Sequence, residues 1–238
     1  MTYKRQMEKA IKEYMKSVGF KYYTPRYLYV QKVNDEILNI IAYATYNGGR
    51  KEYYELSIDI CIIYRSWNNM LHRLTESYCD FDSFMNGPIY FPTRIYCHEP
   101  HVEIMGTRPM EENLAAYQKE METRAFPILE RYQDKEALYR DMMNEPNNQY
   151  LQKNRIWYLP VAHYVNGNYE EAIQAAKALL KECRDIQMQY PDAPAPKKNL
   201  NAATLYLKNL HQLIDGQELP SRTSPSAVTE MLQKLYKK

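Results

Sequence analysis

The chain opens on a helical rhythm. Tyr3, Met7, Ala10, Ile11, Tyr14, Met15 and Val18 fall on one face of a helix, and Lys4, Glu8, Lys12, Glu13 and Lys16 fall on the other. Gly19 follows where a helix C-terminal cap needs positive φ.

The period then shortens to two. Phe20 to Tyr23, Tyr27 to Val33, Ile37 to Tyr46 and Tyr53 to Tyr64 are rich in Tyr, Ile and Val, as strands are. Thr24-Pro25, Asn34-Asp35 and Asn47-Gly48-Gly49 supply the turns between them. In the fourth run Leu56, Ile58, Ile60 and Ile62 alternate with Glu55, Ser57, Asp59 and Cys61. This pattern predicts an antiparallel strand with one apolar and one polar face. That apolar face is the nearest surface for the opening helix to cover.

Residues 65 to 110 carry a weaker signal: a short helix over Trp67 to Tyr78 and a strand over Ile89 to Tyr96, interrupted by Pro92. Helical spacing returns from Glu111, with Leu114, Tyr117 and Met121 on one face. Pro127 suits the first turn of the next helix, and Asp134 caps a continuation carrying Leu138, Met142 and Met143. Pro146-Asn147-Asn148 makes a connector. Beyond it, residues 149–165 and 168–188 predict a helical hairpin, with Asn168 as N-cap and Glu171 three residues on. Pro191, Pro194 and Pro196 mark Tyr190 to Lys198 as an exposed linker. Leu200 to Ile214 forms a further helix ending before Gly216, and Ser224-Pro225 begins a last one with Val228, Met231, Leu232 and Leu235.

The expected fold class is therefore α+β: an N-terminal helix packed on a small antiparallel sheet, then an all-helical C-terminal part of antiparallel hairpins. The expected domains are 1–146, α+β, and 147–238, helical.

Two stretches resemble known families. Leu159, Ala162 and Tyr164, the run Gly167-Asn168-Tyr169-Glu170-Glu171-Ala172-Ile173, and then Ala176 and Leu179 resemble a single tetratricopeptide-repeat unit spanning residues 157–180. The resemblance implies two closely packed antiparallel helices and a turn at Gly-Asn-Tyr. It does not extend to a peptide groove, because such solenoids need about three repeats and no second clean copy occurs. Pro160 also departs from the repeat pattern. The N-terminal half resembles a family of bacterial domains of unknown function. The matching parts are the opening helix, Gly19-Phe20, the strand Tyr27 to Lys32, the hairpin running to Ile58-Asp59-Ile60, and Ala125 to Glu130. That resemblance implies no activity.

Composition narrows the classes. In 238 residues, 31 Lys and Arg against 29 Asp and Glu leave a net charge of +2, and the charges are interleaved. A basic face for nucleic acid is therefore disfavoured. No apolar run approaches the ~20 residues that span a bilayer, and the start lacks the apolar block of a signal peptide, so a cytoplasmic protein is expected. Cys61, Cys79, Cys97 and Cys183 are scattered without a C-x-x-C pair and suit buried thiols. The 24 Tyr are unusual. Tyrosine serves both core rims and contact surfaces, and its alternation through the strands favours the structural role.

Candidate chemistry is sparse. Cys97-His98-Glu99-Pro100-His101-Val102-Glu103 is the densest polar cluster. An extended backbone would put Cys97, Glu99, His101 and Glu103 on one face, although Pro100 disturbs regular geometry. His98, His101 and Glu103 are the metal candidates, while a solvated loop is the plainer explanation. Glu52, Glu55 and Asp59 lie on or beside one strand face, where carboxylates can do acid–base work or simply face water. His72, His163 and His211 sit among helical apolar positions and suit packing roles. No phosphate-loop, dinucleotide, serine-hydrolase or zinc-protease signature occurs, and only 7 Gly are present. No cofactor is expected.

Tyr22, Tyr23, Arg26, Tyr27, Tyr29 and Lys32 form an aromatic and basic group on adjacent strands. Such a group can bind a protein, stack single-stranded bases or be covered by a helix, and the plainer explanation is that half of these rings belong to the core. The favoured function is a non-enzymatic interaction module whose partner is another protein. The alternatives are a hydrolase or nuclease near Cys97–Glu103 or Asp59, and a single-strand or RNA binder through Tyr22–Lys32.

Overall fold

The computed structural model of the chain describes residues 2–24, 28–46, 53–75, 94–95, 101–144, 152–219 and 227–236. Helix α1 (Tyr3–Ser17) buries Met7, Ile11 and Met15 along the stripe set by the opening spacing. It stops at Gly19, whose φ is +91°. There the amide of Gly19 donates to the carbonyl of Lys16, and that of Phe20 to the carbonyl of Met15. A left-handed residue thus satisfies carbonyls that a helix end leaves unpaired.

Six strands follow among the described residues: β1 (Lys21–Tyr23), β2 (Leu28–Lys32), β3 (Ile37–Tyr46), β4 (Tyr53–Tyr64), β5 (Arg94–Ile95) and β6 (His101–Met105). The sheet order is β1-β2-β3-β4-β5, with β6 also on β4. The pairs with a described register are antiparallel: Tyr22 opposes Tyr29, Gln31 opposes Asn39, and Glu55 opposes Glu103. Asn34 sets the β2–β3 turn, its Oδ1 accepting the amides of Glu36 and Ile37 at 2.8 Å each.

The expected alternation of β4 holds only in its first half. Leu56 and Ile58 are buried and Ser57 is exposed, but from Ile60 to Tyr64 every side chain is buried, Cys61 and Ile63 included. Strand β3 is likewise buried on both faces from Ile37 to Ala42. Such strands lose the polar face that alternation predicts.

Helix α2 (Arg65–Thr75) follows β4 directly and buries Trp67, Asn68, Leu71, Leu74 and Thr75. Of the strand expected over Ile89 to Tyr96, only Arg94–Ile95 is described, and it pairs with Ile60 and Cys61. Strand β6 was expected as loop or extended chain; residues 101–105 form a regular strand.

Helix α3 (Met110–Glu120) passes through a π-helical stretch at Met121–Ala125 into α4 (Phe126–Arg131). Pro127 stands in the first turn of α4, as its missing N–H requires. That missing donor also leaves the preceding turn without an α-type bond, a recognised setting for π geometry. Helix α5 (Lys135–Asn144) is capped by Asp134, whose Oδ1 accepts the Glu136 amide at 2.9 Å. Asn113 of α3 is buried and clasps the end of β6, donating to the Met105 carbonyl at 2.8 Å and accepting its amide at 3.3 Å.

The hairpin expected over 149–188 is present as α6 (Gln152–Val165) and α7 (Tyr169–Gln189). Pro160 lies inside α6. Asn168 occupies the N-cap position without capping: its Nδ2 donates to the Tyr139 hydroxyl at 2.8 Å instead. The expected linker over Tyr190 to Lys198 is shorter than predicted. Helix α8 (Pro194–Ile214) starts at Pro194, because prolines are tolerated in a first helical turn. Helix α9 (Ala227–Tyr236) closes the described chain. The turn at Asn47-Gly48-Gly49, the connector at 146–148 and the Ser224-Pro225 start lie outside the described residues.

Two compact units result: Met1–Ile63 with Arg94–Leu138, and Tyr64–Thr93 with Tyr139–Lys238. The first holds α1, the sheet, α3 and α4. In the second, α2 packs on α6 and α8, and α7 packs between α6 and α8. Tyr206 of α8 stacks on Trp157 and donates to its carbonyl at 3.0 Å, while Asn209 donates to the Leu74 carbonyl at 3.0 Å.

Candidate functional site

A cleft of about 330 Å³ opens in the first unit, lined by Val18, Phe20, Gln31, Asn39, Phe126, Leu129, Glu130 and Gln133. Four elements build it. The end of α1 brings Val18 and Phe20, neighbouring strands bring Gln31 and Asn39, and α4 with the turn after it brings the remainder. The rings of Phe20 and Phe126 stack with centroids 6.2 Å apart and planes 18° apart, making an apolar wall.

The polar side is a ladder with a fixed direction. Gln31 Nε2 donates to the Val18 carbonyl at 3.3 Å. A carbonyl only accepts, so the Gln31 amide must present its oxygen to the other side. That oxygen accepts Asn39 Nδ2 at 2.9 Å. Asn39 is thereby oriented, and its Oδ1 is left without a hydrogen-bond partner among the described residues. The residue is only 2% exposed. Leaving a buried acceptor unpaired costs about 1–3 kcal/mol, and folded proteins rarely tolerate it. Trp67 Nε1 and Asn68 Nδ2 of α2 are also unpartnered among the described residues, but it is Asn39 that lines this cleft. Glu130 is exposed and adds a carboxylate to the lining.

Beside the cleft, on the face of Gln31, runs a chain of tyrosine rings. Tyr22 lies 5.0 Å from Tyr29, Tyr29 lies 5.3 Å from Tyr43, Tyr43 lies 6.0 Å from Tyr117, and Tyr117 lies 5.9 Å from Tyr14. The hydroxyls of Tyr43 and Tyr117 are hydrogen-bonded to each other. Burial pushes the phenols of Tyr29, Tyr43 and Tyr117 well above their ordinary range, because a phenolate there would lose its water. Partial burial and the neighbouring Glu122 carboxylate push Tyr14 up to about 12.

The tyrosines picked from the sequence are thus only partly assembled. Tyr22 and Tyr29 meet on one face, with the Lys12 ammonium 4.6 Å above the Tyr22 ring. Tyr23 points to the opposite face, as strand period requires, and both Tyr23 and Tyr29 are buried. Lys32 is exposed and pairs with Asp35 at 2.5 Å. Arg26 and Tyr27 lie outside the described residues.

The metal candidates are divided in the same way. Cys97, His98 and Glu99 lie outside the described residues, as do Glu52 and the side chains of His101 and Asp59. Glu103 is exposed on β6 directly opposite Glu55 of β4. Tyr53 bridges the two carboxylates, donating to Glu55 at 2.6 Å and approaching Glu103 at 3.3 Å. The Glu55 hydrogen bond, with some desolvation and the Glu103 charge, pushes the Tyr53 phenol up to about 12. A phenol so placed keeps its proton and relieves like charges that would otherwise face each other across the strands. No group of three or more metal-ligating side chains occurs among the described residues. His163 is buried in α6 with its Nδ1 2.9 Å from the Tyr139 hydroxyl, a packing role, and His211 is exposed on α8.

Asn39 and Gln31 were not singled out from the sequence. The available signal was a lone Asn inside the apolar run Ile37-Leu38-Asn39-Ile40-Ile41. No helix among the described residues is long and apolar enough to cross a membrane. No family model, curated protein or solved structure matches the chain.

Proposed function

We propose that this chain is a non-enzymatic interaction module whose partner is another protein, and that the cleft of the first unit receives a side chain of that partner. The observation that supports this is the Asn39 Oδ1 acceptor, buried and unpaired beside an apolar wall. Binding sites combine these two parts: apolar surface supplies contact area, and a few fixed polar groups supply orientation. A cleft near the lower end of ligand-pocket volumes and open along one side suits a tethered side chain better than a free ligand, which sites usually bury by about 70–90%. Nucleic acid is the weaker reading. Stacking platforms need exposed rings, and Tyr29 is buried beneath its neighbours.

The test is selection of a displayed random peptide library on the full chain, repeated on Asn39→Leu. We expect enriched peptides that share one donor-bearing residue and lose binding to the variant. Peptides that bind both proteins equally, or no enrichment at all, would remove the cleft from consideration as a receptor.

A further inference from the structure

We propose that the group the cleft receives is a guanidinium, carried on an arginine side chain of the partner. This rests on the cleft being a receptor and specifies what it accepts. The reason is the sign of its polar lining. Asn39 Oδ1 is an acceptor whose orientation is fixed through Gln31 back to the Val18 carbonyl. Glu130 contributes a carboxylate. Val18 also stands at the C-terminal end of the 15-residue α1, where the aligned peptide dipoles leave partial negative charge. The cleft therefore offers acceptors, negative charge and the face of Phe126, which is half-buried over Phe20.

Among biological donors this combination selects a planar cation. A guanidinium has five N–H groups in a rigid fork and no acceptor, so its chemistry matches a lining that holds the unpaired Asn39 oxygen and the Glu130 carboxylate. It is weakly hydrated and stacks on aromatic faces, whereas an ammonium is a strongly hydrated point charge that loses more water on entry. A neutral amide supplies donors but carries no positive charge to meet the Glu130 carboxylate. An arginine stem would run along Leu129 and Val18 with its head at Asn39.

The experiment follows the side-chain amide resonances of Asn39 and Gln31 in the full chain by NMR. The probes are N-acetyl-arginine amide, N-acetyl-lysine amide, N-acetyl-glutamine amide and agmatine. We expect saturable shifts with the arginine amide, with a Kd on the order of millimolar for so small a ligand. Binding should be about tenfold or more tighter than for the lysine amide. Asn39→Leu should weaken it by about ten- to a hundredfold. Glu130→Gln, at an exposed position where folding is not at stake, should weaken it several-fold and reduce its salt dependence. Agmatine binding more tightly than the arginine amide would contradict a peptide-borne source. Equal binding of the glutamine and arginine amides would overturn the guanidinium while leaving the cleft a receptor. No shift at Asn39 with any probe would overturn both, meaning that solvent alone serves the acceptor.

Discussion

Gly19 joins a helix end to the cleft. Its φ of +91° is a conformation that a side chain resists, and a Cβ there would meet Gln31 Nε2 at 3.1 Å. Gly167, at the end of α6, has a φ of +77° but open space around it. Both positions should lose about 1–2 kcal/mol on substitution by Ala from backbone strain. Gly19→Ala should lose more, and it should also displace Gln31 from the Val18 carbonyl. Comparing the two variants by denaturant unfolding checks this; equal losses would mean the Gln31 contact is slack. The glycine at the end of α1 was legible as a cap from its position after an amphipathic stripe. Its approach to Gln31 was not, because that depends on strand register across a turn. Asn39 was legible only as an oddity in an apolar run. Its unpaired oxygen follows from two hydrogen bonds in series, which no local pattern encodes.

Elements were easier to read than their surroundings. The four Tyr-rich runs became β1 to β4 within a residue or two, since β-branched and aromatic content with turn residues between is a local signal. Burial on both faces of β3 and late β4 was hidden, because alternation says nothing about a second covering layer. Strand β6 was obscured by Pro100 and by polar residues taken for loop, and α8 by prolines that start helices as readily as they end them. The tyrosine chain between sheet and helices carries a prediction. Tyr29, Tyr43 and Tyr117 have folded-state pKa values raised above 10.0, so their contribution is fully present below that pH. Above it the unfolded chain releases protons that the folded chain keeps. Stability should then fall by about 1.4 kcal/mol per pH unit for each fully buried phenol until the folded-state value is reached. In an alkaline titration followed by tyrosinate absorbance, a subset of the 24 Tyr should ionise only in a cooperative step. Smooth titration of every tyrosine near pH 10 would contradict a sealed cluster.

At the scale of the molecule, the α+β class follows from pattern alone: one helix, a meander, then helices. The membership of α2 in the helical unit does not, because its partners α6 and α8 lie far along the chain and meet it only through tertiary packing. The cleft belongs wholly to the first unit, and the receptor role proposed for it implies a trade between stability and binding. If Asn39 is kept for a ligand, replacing it with a residue of similar volume removes an unpaired buried acceptor. The replacement also frees the Gln31 oxygen, which is half-buried and can turn to water. The two effects should nearly cancel. If Asn39 instead anchors the sheet to α1, its loss should be felt throughout the first unit. The measurement to make is amide hydrogen exchange of β2 and β3 in Asn39→Leu against the unaltered protein. Protection within about 1 kcal/mol of the original is the result predicted for an acceptor held open for a partner. A loss of about 3 kcal/mol or more would mark Asn39 as structural and contradict the receptor role proposed for it.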